Sequence, residues 1–235
     1  MSLQVGIATN IGCIRHQNED AFWHSDCVFV VCDGMGGHQA GEVASNMAVN
    51  VFKNYSFSSK EPLQDIVNAI QKAHRVVQDA AKVPSCSGMG TTATLAVINS
   101  ENLNYCLYLG HVGDSRAYLL RDSKLKQLTS DHSVVGEMLR NGTLTAAEAV
   151  NHPHRHVVTQ AIGIGEIEIE THSLVLNTGD KILLCTDGLT DVVEEGTIQQ
   201  VLAADSPQAA ADKLIVTAIK KGGPDNITVI VIAIP

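Results

Sequence analysis

The chain has 235 residues, 45% of them hydrophobic and 17% charged, with a net charge of −9 at neutral pH. That length and apolar content suit one large globular domain, 1–235, and exclude a disordered chain. The acidic balance, with Lys and Arg scattered, excludes nucleic acid and anionic membrane as general partners.

Taken in chain order, the N-terminus MSLQVGIATN lacks the basic-then-apolar pattern of a signal peptide, and no later run is long enough to cross a bilayer. β-Branched and aromatic runs predict strands over 3–8 and 28–32. A helix over about 42–55 should bury Ala44, Met47, Ala48 and Val51. A second, over 62–81, carries Leu63, Ile66, Val67, Ile70, Ala73, Val77 and Ala80 in one stripe. Strands over 92–98 and 103–109 follow, joined by Asn-Ser-Glu-Asn, then one over 117–121. Two short helices are predicted over 133–140 and 145–150; Gly142 stops the first, and Thr145 with Glu148 forms a capping box for the second. Strands over 167–176 and 181–185 flank Asn-Thr-Gly-Asp. A helix starts at Ser206-Pro207 and buries Ala211, Leu214, Ile215 and Ala218, and a strand over 227–234 closes the chain. Several connections are too short for a crossover helix, so the strands should pair antiparallel in an α+β layered fold.

The six cysteines form no C-x-x-C pair, and none begins a C-x5-R loop. They read as reduced, buried small hydrophobes of a cytoplasmic protein rather than as a metal set or a thiolate nucleophile.

Aspartates recur at strand ends. FVVCDGMGGHQAGE (29–42) ends an apolar run on Asp33-Gly34, and ILLCTDGLTD (182–191) ends another on Asp187-Gly188. Asp114 follows a strand, while Asp20 and Asp225 each precede one. A single Asp-Gly pair is commonly a turn. Several carboxylates meeting at one sheet edge would repel unless a cation joined them, and their oxygens suit Mg²⁺ or Mn²⁺.

RHQNED (15–20), DGMGGHQAGE (33–42), GMGTTAT (88–94), GDSRAY (113–118), DHSVV (131–135), TDGLTD (186–191) and GPDNIT (223–228) occur in one order along the chain. In this the sequence resembles the metal-dependent PP2C-type serine/threonine phosphatases, and especially their compact bacterial branch. The resemblance implies a four-layer αββα sandwich of two antiparallel sheets flanked by helices, with metals in a cleft at one end. It implies that Asp33 bridges two Mn²⁺ or Mg²⁺ ions, one of which also meets the Gly34 carbonyl. Asp187 and Asp225 complete the second ion. Asp20, and Glu19 in the same way, act near the pair through water. Asp114 with Asp187 matches a third, weaker metal site, to which Asp191 is adjacent.

Arg15 matches the arginine that clamps phosphoryl oxygens, a task suited to a guanidinium fork. Two cations roughly 3.5–4 Å apart acidify a bridging water that attacks phosphorus in line. Some relatives carry a histidine directly after the first Asp-Gly as general acid. Here Met35 stands there and His38 lies three residues later, where it would donate a proton, order a water or cap the turn. The HPHRH stretch (152–156) reads as a polar loop beside a mobile flap over 133–150, with His154 or Arg155 near substrate. The expected partners are phosphorylated proteins and an opposing Ser/Thr kinase, and a monomer is expected. Two other readings stand beside this one: a catalytically idle relative acting as a regulatory binding module, and a two-metal phosphoesterase acting on small molecules or nucleic acid.

Overall fold

The computed structural model describes residues 2–36, 40–58, 60–101, 104–149 and 152–235. The elements in chain order are β1 (Gln4–Asn10), β2 (Ala21–His24), β3 (Val28–Cys32), β4 (Gly34–Met35), α1 (Ala40–Lys53), α2 (Pro62–Ala80), β5 (Gly90–Thr91), β6 (Ala93–Glu101), β7 (Asn104–Val112), β8 (Arg116–Arg121) and β9 (Lys124–Gln127). There follow α3 (Val134–Arg140), α4 (Ala146–Ala149), β10 (Glu170–Leu176), β11 (Lys181–Cys185), α5 (Asp187–Thr190), α6 (Glu195–Ala204), α7 (Pro207–Lys220) and β12 (Ile227–Ala233).

Two five-stranded sheets form, with orders β1-β12-β11-β8-β9 and β10-β7-β6-β3-β2; every pairing within them is antiparallel. Their inner faces meet in a core that includes Phe29, Val31, Leu107, Leu109, Ile182, Leu184, Ile230 and Ile232. The alternate residues turn outward but stay buried. Val28, Val30 and Cys32 pack under α1 and α2, while Leu183, Cys185, Val229 and Val231 pack under α6 and α7. This double burial explains why the strands read as continuous apolar runs rather than alternating ones. The four-layer α+β arrangement expected from the sequence is thus present.

Local details follow the chemistry that predicted them, with shifts. The helix expected over 42–55 is Ala40–Lys53 and buries Ala44 and Ala48, with Met47 and Val51 packed at the margin. Thr145 and Glu148 do form the capping box: Thr145 N–H donates to Glu148 Oε2 at 2.9 Å. Ser206 occupies the N-cap of α7, yet its hydroxyl makes no capping bond. The strand expected from 103 begins at Asn104, Leu103 lying outside the described residues, and the strand expected from 167 begins only at Glu170. β2 is the strand that Asp20 was expected to precede, whereas β9 and α6 have no counterpart in the sequence reading. The cysteines need correction: none is bonded to another, but only Cys32 and Cys185 are buried, whereas Cys13 and Cys27 are exposed. No described helix is long and apolar enough to cross a membrane.

Candidate active site

The topology brings one end of both sheets together. Asp33 follows the last residue of β3, and Asp20 precedes β2, whose Ala21 pairs with Cys32. Asp187 follows β11 and Asp225 precedes β12, joined through the Cys185–Val229 pairing. Asp114 lies between β7 and β8. The result is an open cleft of about 780 Å³ lined by Arg15, Glu19, Asp33, Gly34, Asp114, Arg155, His156, Asp187, Asp191 and Asp225, among others. A larger groove, about 940 Å³, opens at the opposite end of the sandwich between Leu3, Cys27, Tyr105, Leu176 and Pro235. Among its described lining residues Asp26 is the one acidic side chain, so the acid chemistry belongs to the first cleft.

Each acid is held by neighbours that the motifs supply. Asp33 N–H donates to Thr92 Oγ1 at 2.9 Å, while its carbonyl accepts from Thr91 Oγ1 and from Thr92 N–H, both at 2.8 Å. Residues 88–94 are therefore the cradle of Asp33. Asn226 accepts from Glu19 N–H at 2.8 Å and donates to the carbonyls of Ile11 and Gln17, which ties the 11–20 loop to the start of β12. Arg116 forks onto Asp131 with distances of 2.6 to 3.1 Å, fixing the turn after Asp114.

Behind Asp114, Gly113 sits at φ +113°, a backbone conformation that suits only glycine. Its carbonyl accepts from His111 Nε2 at 2.9 Å and from His132 N–H at 2.7 Å, and its N–H donates to His132 Nδ1 at 3.3 Å. Both nitrogens of His111 are engaged, the second by Thr94 Oγ1 at 2.9 Å, and burial pushes this imidazole down to about 4. His111, bonded to Gly113 and Thr94, is thus a neutral brace behind Asp114, and its ligand atoms lie close enough to those of His132 and Glu170 for a metal.

The electrostatics of the cleft are those of acids crowded out of water. Burial pushes Asp33 and Asp187 well above the usual carboxylate range, and neighbouring aspartates push them further. Burial also raises Asp20 and Asp114 to about 7. Asp191 and Glu19 are raised for the same first reason. Arg15 is held in its charged form chiefly by its hydrogen bond to Asp225, at 2.6 Å.

This donor set fits hard divalent cations. Asp20 accepts from Thr186 Oγ1 at 2.9 Å through one oxygen, while its buried Oδ1 has no partner among the described atoms. A buried unpaired carboxylate oxygen facing like charges is costly without a cation. Gly34 fits too: a Cβ there would overlap the carbonyls of Gly41 and Glu19, so only bare backbone passes beside the acids.

The sequence-named residues are therefore largely together. Arg15, Asp33, Gly34, Asp114, Asp187, Asp191 and Asp225 share the cleft, and Asp20 is buried behind it. His38 lies outside the described residues. Of the HPHRH stretch, Arg155 and His156 line the cleft, whereas His154 faces solvent beside His152. Sequence reasoning missed Thr92, Asn226, His111, His132 and His156 as site-building residues. The first four sit in or beside the quoted motifs, and that position was their available signal.

Comparison with known proteins agrees with this geometry. A family model described as Protein phosphatase 2C matches residues 7–137, more than half of the chain. The chain belongs to the protein phosphatase 2C family. Within that family it is 37% identical over 238 residues to the serine/threonine phosphatase stp of Listeria innocua, covering 95% of this chain and 93% of that protein. The crystal structure of the Mycobacterium tuberculosis serine/threonine phosphatase PstP/Ppp superposes with a TM-score of 0.94 at 33% identity, covering 100% of this chain and 99% of that one. The PstP catalytic domain in complex with two manganese ions superposes with a TM-score of 0.90 at 33% identity, covering 99% and 98% of the two chains. The phosphatase 2C fold thus extends well beyond the segment matched by the family model.

Proposed function

We propose that this chain is a Mn²⁺- or Mg²⁺-dependent protein serine/threonine phosphatase, a single catalytic domain over 1–235 that hydrolyses phosphoserine and phosphothreonine by direct attack of water. The observation that carries the reading is the convergence of Asp20, Asp33, Asp114, Asp187 and Asp225 from separate strand ends, beside Arg15. Its phosphatase 2C relatives bear serine/threonine phosphatase names, and one solved relative holds two manganese ions.

In this reading Asp33, the Gly34 carbonyl, Asp187 and Asp225 would hold two divalent cations. The cations, when bound, supply an acidified water and neutralise charge on the phosphoryl group. Arg15 takes the phosphoryl oxygens in its guanidinium fork, exchanging its present partner Asp225 for the anion. Thr91 and Thr92 fix the Asp33 backbone, and Asn226 keeps the Arg15 loop against the acids. The departing seryl oxygen needs a proton, for which His38 is the sequence's candidate.

The six cysteines, all without disulfides, favour a reducing cytoplasm. The acidic surface disfavours nucleic acid, and a monomer that opposes a Ser/Thr kinase fits an enzyme whose cleft opens on one chain.

The test is hydrolysis of a phosphothreonine peptide with Mn²⁺ and then with EDTA. Turnover that needs the metal is expected. Turnover surviving complete chelation rejects the mechanism, and inactivity with Mn²⁺ and Mg²⁺ alike favours an idle binding module.

A further inference from the structure

We infer that Thr9, a surface threonine outside every motif quoted above, is a positioning residue: through the Thr228 hydroxyl it aims the carboxylate of Asp20 at the metal cleft. The inference rests on the phosphatase reading for the cations and concerns how this chain orients one of the acids beside them.

Thr9 lies near the end of β1 and pairs directly with Thr228 of β12. By strand alternation both share the face from which Ile7, Ile230 and Ile232 enter the core between the sheets. Two hydroxyls therefore stand where that face otherwise carries aliphatic side chains, and their oxygens are 2.8 Å apart. Thr228 is fully buried, whereas Thr9 is exposed. A hydroxyl buried as Thr228 is must find partners.

The direction of each hydrogen bond follows from counting donors. Asp20 N–H donates to Asn18 Oδ1 at 3.2 Å. That orients the amide, so Asn18 Nδ2 turns the other way and donates to Thr9 Oγ1 at 2.9 Å. Thr186 Oγ1 accepts from Thr228 N–H and gives its one proton to Asp20 Oδ2, both at 2.9 Å. Burial raises Asp20, and hydrogen bonds from the hydroxyls of Thr228 and Thr186 oppose that rise. Thr228 thus gives its proton to the carboxyl, the stronger acceptor, and in its contact with Thr9 the donor is Thr9.

The bonds close a circuit that leaves the Asp20 backbone, passes through Asn18, Thr9 and Thr228, and returns to the Asp20 side chain. Each link polarises the next, so the proton given by Thr9 strengthens the one given by Thr228. Held in this way, Asp20 keeps Oδ1 without a protein partner, the oxygen left for a cation or its water. Asn18, Thr186 and Thr228 belong to quoted motifs, and Thr9 alone does not. Without its hydroxyl the Asn18 amide loses an acceptor and the buried Thr228 oxygen loses its donor. Asp20 then stays in place but loses its aim.

The test is calorimetric titration of Mn²⁺, with urea unfolding in EDTA, on the natural chain, Thr9→Val and Thr9→Ser, each also combined with Asp20→Asn. Valine keeps the shape of threonine and suits a strand, so the variant folds. Thr9→Val should weaken Mn²⁺ binding roughly fivefold, the scale of one net hydrogen bond, and Thr9→Ser should restore it. Combined with Asp20→Asn, Thr9→Val should cost no further affinity, because the carboxylate that relays its effect is gone. A lower urea midpoint with unchanged Mn²⁺ affinity marks a merely structural threonine and overturns the inference. So does a loss that Thr9→Ser fails to restore, or one that is equally large beside Asp20→Asn. Each of these leaves the phosphatase reading standing, whereas a natural chain that binds no Mn²⁺ overturns both.

Discussion

Asp33 shows most plainly how this cleft trades stability for chemistry. Its carboxyl is surrounded by Asp20, Asp114, Asp187 and Asp225, each of which raises it, on top of a large desolvation cost. Replacing it by asparagine keeps the shape and removes the charge. Asp33→Asn should lower turnover of a phosphothreonine peptide at least about a hundredfold, the scale of losing a preorganised charge interaction. In EDTA the same change should stabilise the fold by on the order of 1–4 kcal/mol, read by urea unfolding. A variant that is both dead and more stable would identify strain that the cation normally relieves. Asp33 and Asp187 were legible in the sequence because a carboxylate at the end of an apolar run is conspicuous. His156 was not: its link to Asp191 joins segments that are remote in sequence, and only the anchoring of Val157 and Val158 brings them together.

At the level of elements, the sandwich depends on close approaches as much as on apolar area. α7 starts directly over β1 at Gly6, where a Cβ would overlap the Pro207 carbonyl. Gln208 locks the contact by accepting from Ile7 N–H at 3.1 Å and donating to the Ile7 carbonyl at 3.0 Å. Because the obstacle is backbone rather than a flexible side chain, Gly6→Ala should cost about 1–3 kcal/mol. The expected result is a lower urea midpoint at unchanged slope. The strands buried on both faces, such as Val28–Cys32 and Lys181–Cys185, could be read from their unbroken apolar composition. β9 could not, since Lys-Leu-Lys-Gln is a short, charged edge strand that gains its order from pairing with β8. α6 escaped because only Ile198, Val201 and Leu202 anchor it, too few to set a clear period.

For the molecule as a whole, the acids make stability depend on pH and metal together. Burial raises Asp20 and Asp114 from 3.8 to about 7 in the folded chain. A carboxyl raised by folding stays protonated in the native state after the unfolded chain has released its proton. Its contribution is full below about pH 4 and is lost as pH rises to about 7, on the order of 4 kcal/mol for each group. His111, lowered to about 4, acts with the opposite sign between about 4 and 6.5, but it is one group against two. In EDTA the melting temperature should therefore fall from about pH 5 to about pH 8. Saturating Mn²⁺ should restore it, since about 2.7 kcal/mol at a hundred times Kd corresponds to roughly 5–10 °C in a chain of this size. A flat profile in EDTA would show that the acids do not titrate across this range.

The pairing of Gln4 with Ala233 has a practical corollary. Both ends of this chain emerge side by side on the end of the sandwich remote from Asp20 and Asp225. The tight turn at Asp122–Ser123, between β8 and β9, faces the same way. A short peptide splice across the old ends, with a new opening at that turn, would give a circular permutant in which every acidic ligand keeps its strand. Order along the polypeptide is thus separable from the arrangement that does the chemistry.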